Sequence, residues 1–286
     1  MRAIPNSLSG CPATKASGTS APRPLSCLAK WAWQSVVITA CCAAVLSLQA
    51  IQNTNSLAVV DAAPSRAAQQ VDLALIRFQS DSNNVRAGWE LAQACFDASA
   101  AVTNKSARAA YALQGIGICR QVLAFATNAA PVHYYLGMNL GQLADTKRNF
   151  AGLQLVYDME REFTHARDLD EHFDFAGPDR NLGLLYGEAP VLISVGSRSL
   201  ARQHLERAVK LAPDYPENRL NLAEAYSRWN DKLLFQHQMA ALEQLWPGAR
   251  IQFNGERWQF SWVDWERRRG RLRIRLRALE KDRSGY

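Results

Sequence analysis

Residues 197–226 read SRSLARQHLERAVKLAPDYPENRLNLAEAY. Ala201, Leu205 and Ala208 are four and three residues apart, the step that places side chains on one helix face. Pro213 closes that run, and Leu222, Ala223 and Tyr226 follow after a short turn. The stretch is therefore a helix, a turn and a second helix. It forms the back half of one helical hairpin and the front half of the next. Small residues let two helices approach closely, and large neighbours interlock around them.

The same pattern recurs upstream. Leu182-Gly183 is followed by Tyr186; Leu136-Gly137 has Leu140 in place of the tyrosine, and Leu91-Ala92 has Cys95 there. This resembles the tetratricopeptide pattern, a repeat of about 34 residues. The leucines Leu91, Leu136, Leu182 and Leu222 are 45, 46 and 40 residues apart, although Pro213 and Pro247 keep a spacing of 34. The surplus belongs to inserted loops or extra helical turns. The segment GEAPVLISVG at 187–196 and a long second helix over 147–169 are the places for it. The expected fold is all-α: an α-solenoid of about four irregular tetratricopeptide-like hairpins over residues 66–255. Its first helix, from about Arg66, is the second half of an incomplete repeat, or a cap. Gly177 should break a helix, and Pro178 suits the first turn of the next one.

The two ends differ from this body. Residues 1–30 are rich in Ser, Pro, Ala and Gly, and 31–50, WAWQSVVITACCAAVLSLQA, is apolar and uncharged. Three readings stay open for residues 1–50. They are a signal peptide cut after Ala50, a retained membrane anchor, and a lipobox, Ile38-Thr39-Ala40-Cys41, that would lipidate Cys41. Each carries the rest of the chain across or onto a membrane, so an extracytoplasmic location is expected. Residues 51–65 read as a linker. Residues 256–286 form a Trp-rich cap and a basic tail. Trp258, Trp262 and Trp265 fall on one helical face that could seal the open end of a repeat array. Arg then alternates with Leu or Ile in RRRGRLRIRLRALEKDR, which suits an amphipathic strand or a plain basic tail.

The net charge of +7 is carried by the ends, which hold +4 in residues 1–50 and +5 from Glu256 onward; residues 51–255 carry −2. Basic ends meet anionic partners. For an exported chain those are lipid headgroups, through 31–50 or the tail, and no nucleic acid is expected.

Residues that carry chemistry are sparse. No G-x-S-x-G, phosphate loop, H-E-x-x-H or C-x-x-C occurs. No enzyme, cofactor or metal is expected. His165, Asp168 and His172 come nearest to a constellation and read as a solvated helix end. Asp179 reads as a residue stabilising a helix start. Cys95 and Cys119 fall on facing sides of one hairpin, either as a disulfide or as two buried thiols. The first helices of the hairpins should line a concave groove. The register places Trp89, Gln93, Phe96, Tyr134, Met138, Arg180, Leu184, Leu220 and Glu224 there.

Three segments carry a closer resemblance: HYYLGMNLGQLA (133–144), LDEHFDFAGPDRNLGLLYGEAP (169–190) and the stretch ending at Tyr226. They are similar to the T-component family of tripartite (TRAP-type) solute transporters, in which a helical-repeat protein pairs with a periplasmic solute-binding protein. The animal regulator-of-microtubule-dynamics proteins are more distantly similar, and the export-like N-terminus speaks against that identity. The expected function is a non-enzymatic extracytoplasmic protein-binding or scaffold protein. The resemblance implies a solute-binding protein as partner. The alternative is a receptor that holds a small ligand in the concave groove.

Overall fold

The computed structural model describes residues 66–147 and 150–284, so the expectations for residues 1–65 lie outside the described residues. Among the described residues ten α-helices follow one another: α1 (66–80), α2 (Val85–Ala101), α3 (Lys105–Leu123), α4 (Ala130–Thr146), α5 (Phe150–Leu169), α6 (Phe173–Glu188), α7 (Arg198–Leu211), α8 (Pro216–Arg228), α9 (Lys232–Gln252) and α10 (Gln259–Ser284). A 3-10 turn, Glu256–Trp258, leads into α10. No strand occurs among the described residues.

Local chemistry sets the starts. The Asn84 side chain accepts from the Ala87 amide at 3.0 Å, and Asn104 accepts from the amides of Ser106 and Ala107. Ser197 caps α7 and Asp231 caps α9. These oxygens satisfy amides that have no partner within their helix. Pro131 and Pro216 stand in the first turns of α4 and α8, where the missing N–H costs nothing.

Pairs α2/α3, α4/α5, α6/α7 and α8/α9 are the four hairpins, and α2, α4, α6, α8 and α10 are neighbours along the inner side. The helix α1 precedes the first complete hairpin, with Val71, Ala74 and Phe78 buried. At the crossings Ala92, Ala201, Ala208 and Ala223 are fully buried. The leucine–glycine pair has the same cause. A Cβ on Gly183 would lie 2.6 Å from Leu205 Cγ, so any side chain there would push α6 off α7.

Two apolar clusters form the core, one from Val71 to Ala201 and one from Leu205 to Leu279. The second cluster includes Trp262 and Trp265, which seal the end of the array. The Arg-rich stretch beyond them is not a strand but continues α10. Leu272 and Leu279 are buried, whereas Ile274 is 68 % exposed. The spacing of seven between the buried leucines is helical. Two arginines of α10 grip the preceding helix. Glu243 of α9 accepts from Arg269 at 2.5 and 3.1 Å and from Arg273 at 2.5 and 2.8 Å.

Burial pushes the Glu243 carboxyl up, but the two guanidinium groups outweigh it and bring it down to about 2. A carboxylate held below its ordinary range of about 4.3 stabilises the fold above that range and loses the contribution as pH falls towards 2. Glu243→Gln should therefore lower the unfolding midpoint at pH 7 and narrow the difference from wild type on acidification to pH 2–3. Thermal melts across that range measure it, and a pH-independent difference would sink the assignment.

Candidate binding face

The inner side of the solenoid was expected to be an open groove, but the chain fills much of it. After α5, the residues Asp174, Phe175 and Ala176 take left-handed backbone angles (φ 50°, 56° and 61°), and right-handed helix follows. Three successive non-glycine residues in that region are strained by roughly 1–2 kcal/mol each. The turn throws two aromatics in different directions. Phe173 joins the first cluster, with ring centroids 5.2 Å from Tyr134 and 6.2 Å from Trp89 and Tyr135. Phe175 joins the second, stacked on Tyr215 at 4.5 Å and edge-on to Phe253 at 5.4 Å. One turn thus ties the two clusters together.

Arg180 holds the turn. Its side chain is almost wholly buried. Nη1 donates to the carbonyl of Asp174 at 3.0 Å and to Asn218 Oδ1 at 3.2 Å. Nη2 donates to Asp174 Oδ2 at 2.5 Å and to the Tyr134 hydroxyl at 3.2 Å. The Tyr134 hydroxyl in turn donates to Asp174 Oδ2 at 2.6 Å. Asn218 Nδ2 donates to the Phe175 carbonyl at 2.9 Å and the Ala208 carbonyl at 3.0 Å. Burial alone would lower the affinity of Arg180 for its proton, but Tyr134, Asp174 and Glu217 outweigh it and raise it well above the ordinary value. Gly177 belongs to the same arrangement, because a Cβ there would meet the Tyr134 ring and hydroxyl at 2.8 Å.

The C-terminal half of the inner side is filled by α10. Arg268, which belongs to the basic run, is buried. It donates to both carboxylate oxygens of Glu224, at 2.9 and 3.0 Å, and to Asn221 Oδ1. The carboxyl of Glu217, 3.8 Å away, is raised by burial, and Arg180 and Arg268 temper the rise.

Of the nine residues expected to line an open groove, Tyr134, Met138, Arg180 and Leu220 are buried. Trp89 lies parallel to Tyr135 at 5.8 Å, Phe96 and Leu184 pack against the two clusters, and Glu224 is engaged by Arg268. Gln93 stays half-buried. Most of these residues meet other parts of the chain. Asp97, eight residues after Trp89 on α2, went unnoticed. It remains exposed.

The other expectations resolve as follows. Cys95 and Cys119 are free, buried thiols, and burial drives both upward, Cys95 to about 12. Asp179 does more than favour a helix start. It is fully buried and accepts from His204 Nδ1 at 2.7 Å and Arg207 Nη1 at 2.5 Å, which ties α6 to α7. His165, Asp168 and His172 go separate ways: Asp168 pairs with Arg167, His172 faces Glu171, and His165 sits edge-on to His133 at 5.1 Å.

On one edge of the solenoid, the inserted loop between α6 and α7 presents Val191, Leu192 and Ile193, which are 71, 95 and 62 % exposed. Its base is closed by the Ser197 amide donating to the Tyr186 carbonyl at 2.8 Å. On the following helix, Arg198 lies over the Trp229 ring at 5.2 Å, and Arg202 lies over Tyr226 at 5.4 Å.

Comparison with known proteins agrees with the architecture. The fold is similar to that of TTC0263, a thermophilic TPR protein of Thermus thermophilus, with a TM-score of 0.51 and 18% identity over 70% of this chain and 95% of that one. The structure of MamA is similar at 15% identity over 73% of this chain and 98% of that one, with a TM-score of 0.41. Residues 58–176 match the profile of the family described as regulator of microtubule dynamics protein 1-3. That is the more distant of the two resemblances drawn from sequence, and nothing found points to the T-component family. No curated protein matches the chain. The chain is thus a tetratricopeptide-like solenoid of helical hairpins.

Proposed function

We propose that this chain is a non-enzymatic scaffold that binds a protein partner outside the cytoplasm. The exposed Val191-Leu192-Ile193 loop carries the reading. Contiguous apolar residues in water mark an interaction site when polar residues rim them. On α7, which follows the loop, Arg198 and Arg202 lie over the Trp229 ring, and Arg and Trp are residue types enriched at protein interfaces. The filled inner side favours this edge over a small-ligand receptor in the groove. The location rests on the apolar segment 31–50. None of the helices among the described residues is long and apolar enough to cross a membrane. The particular form implied by the quoted segments is pairing with a periplasmic solute-binding protein.

The test is a pull-down from native membranes with a C-terminal tag, comparing wild type with a chain carrying V191S, L192S and I193S. The altered residues are exposed, so the fold should persist, and the partner should be lost by tenfold or more. Mass spectrometry of the same sample gives the mature N-terminus. Equal recovery of partners by both chains would remove the loop from the binding face. Recovery without any solute-binding protein or transporter subunit would leave a general scaffold.

A further inference from the structure

Between α4 and α5 lies a cluster of two histidines and a carboxylate. His133 of α4 is buried, and its Nδ1 lies 2.7 Å from Glu162 Oε2 of α5. Its Nε2 lies 2.9 Å from the Thr127 carbonyl. His165 is one turn beyond Glu162 on the same helix and is exposed. One ligand atom from each of the three residues lies within 4.8 Å of the others.

We propose that His133, Glu162 and His165 form a binding site for a divalent transition metal, with zinc as the favoured ion. Two imidazoles and one carboxylate are a donor set that zinc takes, with bonds of about 2.0–2.2 Å. Tetrahedral ligation requires donor atoms about 3.3 Å apart, so the three need only small side-chain rotations to close on an ion. The second nitrogen of His133 strengthens the case. A metal-binding histidine commonly donates its other N–H to a carbonyl or carboxylate, which fixes the ring and its tautomer. The Thr127 carbonyl does this at Nε2, leaving Nδ1 on the side of Glu162.

Without metal, both nitrogens of His133 lie within hydrogen-bond distance of oxygens, Glu162 Oε2 and the Thr127 carbonyl. On binding, the ion takes the place between Nδ1 and Oε2 that the hydrogen bond now spans. Glu162 keeps Arg161 Nε at 3.1 Å on its other oxygen, so Oε2 is the atom that turns to the metal. Exposed His165 provides the way in, and the ion would clamp α4 to α5. The nearby Cys119 thiol is held neutral by burial.

The test uses the full chain and zinc chloride, with cobalt(II) as a spectroscopic probe. Wild type should bind one zinc at this site, show a zinc-dependent rise in Tm, and give the visible absorption of tetrahedral cobalt. His165→Ala should melt like wild type without metal, because the residue is exposed, and should lose at least about 100-fold in zinc affinity, more than the loss of an outer-sphere contact. Affinity should fall as pH is lowered, because imidazole and carboxylate bind a metal only in their deprotonated forms. No zinc-dependent rise in Tm in wild type would overturn the site. An unchanged rise and cobalt spectrum in H165A would also overturn it, because the metal would then be held elsewhere.

Discussion

Replacing Arg180 with alanine should cost about 3–5 kcal/mol, the range seen when one partner of a buried charged network is removed. In a domain of this size each kcal/mol moves Tm by about 2–4 °C, so a fall on the order of 10 °C is expected. Arg180 is 2 % exposed and donates to both the side chain and the carbonyl of Asp174. Without it the Asp174 carboxylate keeps only the Tyr134 hydroxyl among these donors, and Asn218 must hold the left-handed turn alone. The strain stored at 174–176 would then be released by local opening. Amide exchange should accelerate at 173–178 ahead of the neighbouring helices. Arg180→Lys should recover less than half of the loss, because one ammonium cannot replace a planar fork with donors on two sides. Wild-type exchange at the turn, or a fall in Tm below about 2 °C, would refute the role given to Arg180.

The second large effect belongs to Trp265. Its side chain is 1 % exposed and meets Trp262 at 5.0 Å, Tyr215 at 5.5 Å and Trp258 at 5.8 Å. Trp265→Ala removes the largest anchor of α10, at about 3–5 kcal/mol. The terminal helix has neighbours on one side only, so this loss falls mainly on α10 and not on the earlier hairpins. Limited trypsin digestion should cut early at the arginines of 267–277 while residues 66–252 stay protected. Uniform loss of protection along the whole chain would show instead that the solenoid unfolds as one unit with its cap.

These residues also mark where reading the sequence succeeded and where it stopped. The hairpins were legible because their causes are local. Apolar residues recur at three- and four-residue steps, Asn and Ser stand at helix starts, and prolines stand where a first turn tolerates them. The small residues of the leucine–glycine pairs announced the close crossings that Gly183 and Leu205 make. The Arg–Leu alternation of 271–276 misled, because Leu272 and Leu276 fit both a period of two and a helix. Only the surfaces of α8 and α9 chose between them, burying Leu272 and leaving Ile274 in water. The open groove failed for a related reason. A register projected from separate hairpins cannot show that a later segment folds back and covers the same face.

The sequence by itself determined the helices of the four hairpins and their order, since each depends on residues within a turn or two of one another. Tertiary structure alone decided the left-handed turn, the burial of Arg180 and Arg268, and the meeting of His133 with Glu162. No glycine occupies 174–176 to announce the turn. It exists because Asn218, 43 residues beyond Phe175, captures a carbonyl that the strained backbone presents. Charged side chains that look destined for water are buried where partners distant in sequence complete their hydrogen bonds, and no local pattern records such partners.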